Sequence, residues 1–241
     1  MRIEDQLKLQ TWIKEAKNIV FLGGAGVSTA SGIPDFRGKN GLSQMKSEIP
    51  FETLLSHDYF MNHTKSFYEF YLHHMIYRQA MPNACHLALA ALETTGRLIA
   101  VITQNIDGLH QKAGSKNVLE LHGSVENNEC MECHKPYPLD ELFAYQGVPK
   151  CSCGGIIKPK VVLYGEILDP TTIKKSIQAI KIADLLMVGG TSLLVHPAAS
   201  LLSYFHGNHL VIINQSPTPY DSLADLILTD PIEQIFPTLI F

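Results

Sequence analysis

Apolar residues recur along this chain with two spacings, and each predicts a different element. Runs that are apolar on both faces occur at Ile19-Val20-Phe21-Leu22, Leu98-Ile99-Ala100-Val101-Ile102, Val161-Val162-Leu163-Tyr164, Leu185-Leu186-Met187-Val188 and Leu210-Val211-Ile212-Ile213. Runs of this kind suit strands covered on both sides in a parallel sheet. Val118-Leu119-Glu120-Leu121 predicts a further short strand. Helical spacing lies between them. Ile3, Leu7, Ile13 and Ala16 mark one side of a predicted helix over 3–17, with Glu4, Lys8, Lys14 and Glu15 toward solvent. Pro82-Asn83 starts another, continued by Leu87, Ala90, Ala91 and Leu92. Ile173, Ile177 and Ile180, then Ala198, Leu201, Leu202 and Phe205, mark two more. Strands alternating with helices imply right-handed crossovers and a doubly wound sheet with ligands at the strand C-termini. Residues 51–79 break the rhythm: Phe51, Leu54, Leu55, Tyr59, Phe60, Phe67, Phe70, Tyr71 and Ile76 come at mixed spacing, predicting a small helical module whose rings serve mainly as core.

Composition narrows the class. At 241 residues, 46% hydrophobic and 17% charged, the chain can bury a substantial core and is less charged than the usual quarter or so. A net charge of −4 gives no basic footprint for nucleic acid. No apolar run approaches the roughly 18 residues of a membrane span, and the opening MRIEDQLKLQTWIKEAK lacks the apolar centre of a secretory signal. The expectation is a cytoplasmic protein with neither nucleic-acid nor membrane partners. Its five cysteines are then poor disulfide material, and four of them cluster.

Chemistry gathers after the strands. The first run turns through Gly23, Gly24 and Gly26, a phosphate-binding pattern in which glycines let N–H groups approach an anion, and a helix starting near Ser28 would add its dipole. The dehydrogenase fingerprint is not met, because Thr29 stands where its last glycine belongs and no acidic residue ends a second strand about 20 residues on. Pro34, between Gly32 and Gly38, instead places Asp35, Phe36 and Arg37 on a loop. The second run delivers Thr103-Gln104-Asn105-Ile106-Asp107-Gly108-Leu109-His110, rich in side chains able to bond a ribose or carboxamide. His122 ends a strand, is followed by Gly123, and has an ordinary pKa of about 6.5 that suits a general base. Cys130-x2-Cys133-x17-Cys151-x-Cys153 reads as a four-thiolate zinc site. Its second pair is one residue shorter than usual, so Gly154-Gly155 would have to turn sharply, and a reducible disulfide or free thiols remain the alternatives. Cys85 reads as an ordinary buried cysteine and His134 as an outside candidate ligand.

These stretches resemble one family in order. GAGVSTASGIPDFRG resembles the NAD-binding signature of the sirtuins, NAD-dependent protein deacylases, and TQNIDGLH fits the family's TQNxDxLH completely. His122 stands in the family's LHG context, KPKVVLYGE resembles RPxVVxFGE, and Gly190-Thr191-Ser192 resembles its GTS element. The likeness runs from Ile19 to about Ile232. It implies an α/β fold: a Rossmann-like doubly wound parallel sheet (about 1–38, 81–123 and 161–241) carrying a helical insertion (about 39–80) and a small zinc-ribbon module (about 124–160). By the same resemblance NAD is the co-substrate, held by Gly24, Ala25, Gly26, Ser28, Thr29, Asp35, Phe36, Arg37, Gln104, Ile106, Asp107, His122, Thr191, Ser192, Asn214 and Ile232. Gln104 would contact the ribose next to nicotinamide, Asn105 organise a water, Asp107 with Ile106 hold the nicotinamide amide, and His122 act as base. One structural zinc would sit on the four cysteines. Acyl-lysine proteins would bind as an added strand along Val162, Leu163, Tyr164, Gly165 and Glu166, giving up the acyl group to ADP-ribose with release of nicotinamide. Members preferring succinyl or malonyl lysine carry Tyr-x-x-Arg in the insertion. Here Tyr71 is followed by His74, which implies acetyl-lysine. A mono-ADP-ribosyltransferase on this scaffold, or a non-catalytic NAD-sensing or DNA-binding zinc module, are the rival readings. The sequence leaves the oligomeric state open.

Overall fold

In the computed structural model, which describes residues 1–36, 38, 41–44 and 48–239, the apolar runs form strands almost where the pattern puts them. In chain order the elements are α1 (Ile3–Glu15), β1 (Ile19–Gly23), α2 (Phe51–Leu54), α3 (His57–Asn62), α4 (Thr64–His74), α5 (Ala84–Thr94), β2 (Leu98–Thr103), α6 (Leu109–Lys112) and β3 (Val118–Glu120). There follow β4 (Gly123–Cys130), β5 (Pro136–Pro138), α7 (Leu139–Leu142), β6 (Ile157–Val161), α8 (Pro170–Ile182), β7 (Leu185–Gly189), β8 (His209–Ile213), β9 (Leu226–Leu228) and α9 (Ile232–Ile235). Among the described residues no helix is long and apolar enough to cross a membrane.

Six strands make one parallel sheet in the order β3-β2-β1-β7-β8-β9. The winding reverses between β1 and β7, and in such sheets the crevice at the strand C-termini there is the ligand site. Register brings those ends level, with Gly23 beside both Thr103 and Gly189, and Gly189 beside Ile213. Inside β1 the strand period survives the fully apolar run. Ile19 and Phe21 join one core with Leu9, Ile13, Leu89 and Phe236, while Val20 and Leu22 join another with Ile180, Leu186, Leu201 and Ile212.

A second, three-stranded antiparallel sheet, β5-β4-β6, belongs to the cysteine-bearing segment. It corrects the strand predicted at 161–164, since β6 ends at Val161 and lies outside the parallel sheet. Alternation was the better signal there, with Ile157, Pro159 and Val161 buried, Lys160 exposed and Lys158 half-buried. The insertion and this sheet share one core, in which Phe51, Phe60, Phe67, Tyr68 and Tyr71 pack against Val125, Tyr137, Leu142, Ile157 and Val161. The Phe60 and Phe67 rings meet edge to face at 5.0 Å and Phe67 stacks on Tyr71 at 5.4 Å, so the aromatic density is packing.

Two further expectations change. In α1, Ile3 and Leu7 are exposed, and Leu9, Ile13 and Ala16 make the buried stripe. At 100° per residue those three share a side that Ile3 and Leu7 do not. Bonds from Gln6 to the Thr238 carbonyl (3.0 Å) and from Lys8 to the Asp225 carbonyl (3.1 Å) hold that rotation. The helix predicted through Ala198 and Phe205 is a 3₁₀ stretch over Ala198–Tyr204.

Candidate active site

The glycines after β1 first serve a backbone crossing. Gly24 N–H donates to the Gly189 carbonyl at 3.1 Å and Gly26 N–H to the Gly190 carbonyl at 2.8 Å. A Cβ on Gly26 would stand 2.7 Å from the Gly190 Cα, and Gly190, at φ +61, would place its own 2.4 Å from the Val27 nitrogen. Side chains are excluded here because two loops touch main chain to main chain. Both amides therefore already have main-chain partners. No regular helix starts near Ser28. Two single 3₁₀ turns, Ala25–Val27 and Thr29–Ser31, replace it, ended by left-handed Gly32, so this loop does not supply an α-helical dipole.

A buried polar chain crosses the strand ends above these loops. Leu109 N–H donates to Asp107 Oδ1 at 2.9 Å, and the Ser28 hydroxyl, 1% exposed, donates to Asp107 Oδ2 at 2.6 Å. An ionised carboxylate only accepts, so the serine proton is committed and its oxygen is left to accept Asn105 Nδ2 at 3.0 Å. That fixes the Asn105 amide with Oδ1 turned away from Ser28. Gln104 Nε2 donates to Thr191 Oγ1 at 3.0 Å, joining the β2 and β7 loops. The Asn83 side chain caps α5 through Cys85 N–H (3.0 Å) and also donates to the Val27 carbonyl (2.7 Å) and Ser31 Oγ (3.0 Å). The sequence pattern shows Asn83 only as a helix start; its hold on the loop comes from residues distant in sequence.

His122 sits just beyond β3, half-buried, with Nδ1 2.9 Å from the Gln104 carbonyl. A carbonyl oxygen can only accept, so Nδ1 carries the hydrogen and Nε2 presents its lone pair. Burial pushes its pKa below 6.5, partly opposed by the bond to Gln104. The imidazole is thus a neutral base near pH 7. His86 and His110 are fully buried with ring centres 4.7 Å apart; burial pushes them to about 4 and about 3, so both are neutral near pH 7.

The other expected nucleotide residues are spread more widely. Asp35 closes its own turn, accepting from Gly38 N–H at 2.8 Å, and Phe36 packs on Phe51 with centres 5.8 Å apart. Arg37 lies outside the described residues. Ala25 opens the first 3₁₀ turn, Thr29 donates to the Gly26 carbonyl at 3.0 Å, Ile106 accepts at its carbonyl from Val125 N–H at 3.0 Å, and Ser192 is half-buried after Thr191. Asn214 directly follows β8, its amide bonded to the Ser216 carbonyl at 2.7 Å. Ile232 is buried at the start of α9, its Cδ1 2.4 Å from where a Gly189 Cβ would stand. Tyr71 is fully buried, and His74 packs on Phe70 with centres 4.8 Å apart.

Past β6 the chain runs beside the base: Val162 N–H donates to the His122 carbonyl at 2.9 Å. In the stretch expected to pair with peptide, the Glu166 carboxylate turns back onto its own loop, accepting from Leu163 N–H at 2.9 Å. His57 and Lys158, also in contact with it, come from elements whose spacing gives no hint of the meeting.

The four clustered cysteines fit a metal. Their sulfurs all lie within 4.8 Å of one another. The Cys130–Cys153 and Cys133–Cys151 separations of 3.4 and 3.5 Å exceed a disulfide of about 2.05 Å. They approach the roughly 3.8 Å sulfur spacing of a tetrahedron with Zn–S of about 2.3 Å. The short second pair works as Gly154-Gly155 requires: Gly154 is at φ +94, and a Cβ on Gly155 would lie 2.7 Å from Cys130 Sγ. The Cys153 N–H, with the Tyr137 hydroxyl, pulls the Cys151 thiol down to about 5, toward the thiolate a metal needs. His134 is exposed, 3.5 Å from Glu129 and outside the sulfur group, so it is not a fifth donor. Cys85 is buried in α5, and burial holds its thiol well above its ordinary value.

Comparison with known proteins places this arrangement. The family model of the Sir2 family matches residues 24–197. A protein of Clostridium acetobutylicum named NAD-dependent protein deacetylase is 53% identical over 237 residues, covering 97% of each chain. One of the same name from Staphylococcus aureus is 44% identical over 230 residues, covering 94% of each. Among solved structures, a substituted Sir2 with deacetylated p53 peptide and 3′-O-acetyl ADP ribose gives a TM-score of 0.89 at 38% identity, over 99% of this chain and 97% of that one. A Sir2–p53 peptide–NAD+ complex gives 0.86 at 37%, over 98% and 96%. With relatives this similar spanning both chains nearly end to end, and with the sheet order and strand-end residues in place, the chain belongs to the Sir2 family.

Proposed function

We infer that this protein is an NAD-dependent protein-lysine deacetylase that transfers the acetyl group of lysine to ADP-ribose and releases nicotinamide. The relatives above carry that activity in their names, and the related structures hold peptide with NAD+ or with acetyl ADP ribose. The observation within this chain that carries the reading is His122, neutral and fixed with Nε2 as acceptor at the open end of the sheet. NAD, when bound, supplies an electrophilic ribose carbon and the nicotinamide leaving group. The chain's own groups bind, orient and move a proton. The loop Gly24–Ser28 with Thr29, Asp35, Phe36 and Arg37 would enclose the dinucleotide. Thr191, Ser192 and Asn214 would take its phosphates and adenosine ribose, and Ile232 would back the adenine end. Gln104 would face the nicotinamide ribose and Ile106 with Asp107 the carboxamide. Asn105, its Oδ1 turned away from Ser28, can hold a water, and His122 Nε2 draws a proton from the ribose hydroxyls.

In this reading the Rossmann-like part is about 1–38, 81–123 and 161–241, the helical insertion about 39–80 and the zinc module about 124–160. Strand membership in two separate sheets supports that division. The peptide enters along Val162–Glu166 as an added strand. A cytoplasmic site of action, without nucleic acid or membrane, is consistent with the −4 charge. The test is to incubate the pure protein with NAD and an acetyl-lysine peptide and weigh the products. Free lysine peptide with acetyl-ADP-ribose supports the reading; ADP-ribosylated peptide makes the protein a mono-ADP-ribosyltransferase; no nicotinamide release removes both.

A further inference from the structure

The turn Leu163–Glu166 is fastened on every side but one. Gly165 stands at φ +90, and Glu166 N–H closes the turn on the Leu163 carbonyl at 2.9 Å. Tyr164 N–H donates to the Leu55 carbonyl at 3.0 Å and its carbonyl accepts from His57 N–H at 2.9 Å, a parallel bridge to the insertion. The Glu166 carboxylate gathers these pieces. Besides Leu163 N–H it lies 3.1 Å from Lys158 Nζ and 2.9 Å from His57 Nδ1. Because an ionised carboxylate only accepts, His57 Nδ1 carries the proton of that contact. Burial raises the Glu166 carboxyl, but Leu163 N–H, His57 and Lys158 together outweigh it and hold it below the ordinary range. The side chains of Lys158 and Glu166 are only 18% and 20% exposed, unlike a solvated surface pair whose geometry is loosely held. Among the described residues, no hydrogen bond engages the N–H or C=O of Gly165 or the C=O of Val162. The open groups of Val162 and Gly165 therefore flank the fastened Leu163 and Tyr164, in a segment tied by the Val162 N–H to the His122 carbonyl.

We propose that Glu166 is a positioning residue for the protein substrate: with Lys158 and His57 it presets the 163–166 turn, so that the open main-chain groups of Val162 and Gly165 stand ready to pair with an extended acyl-lysine peptide beside the base. This rests on the deacetylase reading and gives the Glu166 side chain a task it performs without touching substrate. A preset edge lowers the ordering cost of binding, so its loss falls on KM.

Kinetics of wild type, Glu166→Gln and Lys158→Met test it, using a long acetyl-lysine peptide and, separately, acetyl-lysine amide, with zinc content and melting as folding controls. For Glu166→Gln the peptide KM should rise about fivefold or more, with kcat and the NAD KM changed by less than about twofold. The penalty should be smaller for acetyl-lysine amide, which has no flanking main chain to pair. Equal penalties on both substrates, a parallel rise in the NAD KM, or an unchanged peptide KM overturns the proposal. Should Glu166→Gln fail to fold, Lys158→Met, which leaves the Leu163 and His57 contacts in place, is read by the same criteria. A wild type that deacetylates neither substrate removes the deacetylase reading and this proposal with it; a wild type that turns over both makes any negative result one about Glu166 alone.

Discussion

The two walls of the cleft are held by different physics. On the sheet side, the site residues hang from strand ends whose register is set by β1 between β2 and β7 and by the crossing of Gly26 over Gly190. On the other side, the insertion and the cysteine sheet have one ring-rich core between them and four sulfurs at its edge. A wall of paired strands loses one contact at a time when a side chain is changed. A small lobe around a metal loses much of itself at once, because metal binding is part of its folding free energy.

The largest effect should therefore come from the sulfur site. Cys151→Ala should bind well under one zinc per chain, melt at lower temperature and lose activity altogether, as metal analysis and thermal melts would show. A variant with wild-type zinc and melting would make the two walls equivalent. Next, His122→Ala should lose about 10²- to 10⁴-fold in kcat while binding NAD as before by calorimetry, since none of the strand-end bonds among Ser28, Asn105 and Asp107 involves the imidazole. The same histidine sets the acid limb of the rate. With its pKa pushed below 6.5, kcat/KM should hold steady from neutral pH down past 6.5 and fall only as pH drops through the lower value. A profile that already falls above 6.5 would contradict the burial. Smaller still, Ser28→Ala leaves Asn105 Nδ2 and Asp107 Oδ2 without their shared hydroxyl, which should cost about 1–3 kcal/mol in denaturant unfolding. The smallest test concerns acyl choice. With no arginine at position 74, acetyl peptide should outpace a matched succinyl peptide, and equal efficiencies would place a cation elsewhere in the cleft.

Much of the fold and of the candidate site is legible in the sequence. Strands at Ile19, Leu98, Leu185 and Leu210 announced themselves because burial on both faces leaves no room for polar residues. The 161–164 run misled because Val161 and Leu163 both belong to the core shared by the insertion and the antiparallel sheet, while the strand pairing ends at Val161. The strand-end residues stood out as side chains able to bond, yet their true partners did not. Gly26 needs its glycine for Gly190, and Glu166 turns toward His57 and Lys158, meetings that depend on topology and leave no trace in local spacing. In α1 the apolar Ile3 and Leu7 stay exposed because Leu9, Ile13 and Ala16, on another side of the helix, are the residues that meet the core, and exposed bonds from Gln6 and Lys8 accompany that orientation.

The place of β1 at the middle of the sheet also bears on how the chain is made. During synthesis β1 and β2 emerge early and can pair, but the other edge of β1 waits for Leu185–Gly189, which leaves the ribosome only after the insertion and the cysteine sheet have been made. Until then a fully apolar strand presents an unpaired edge, the feature most prone to wrong association in a nascent chain. The final quarter of the polypeptide both covers that edge and lays Gly190 against Gly26. A product that stops before β7 and Gly190 therefore cannot hold the finished crevice, and competence to bind arrives late.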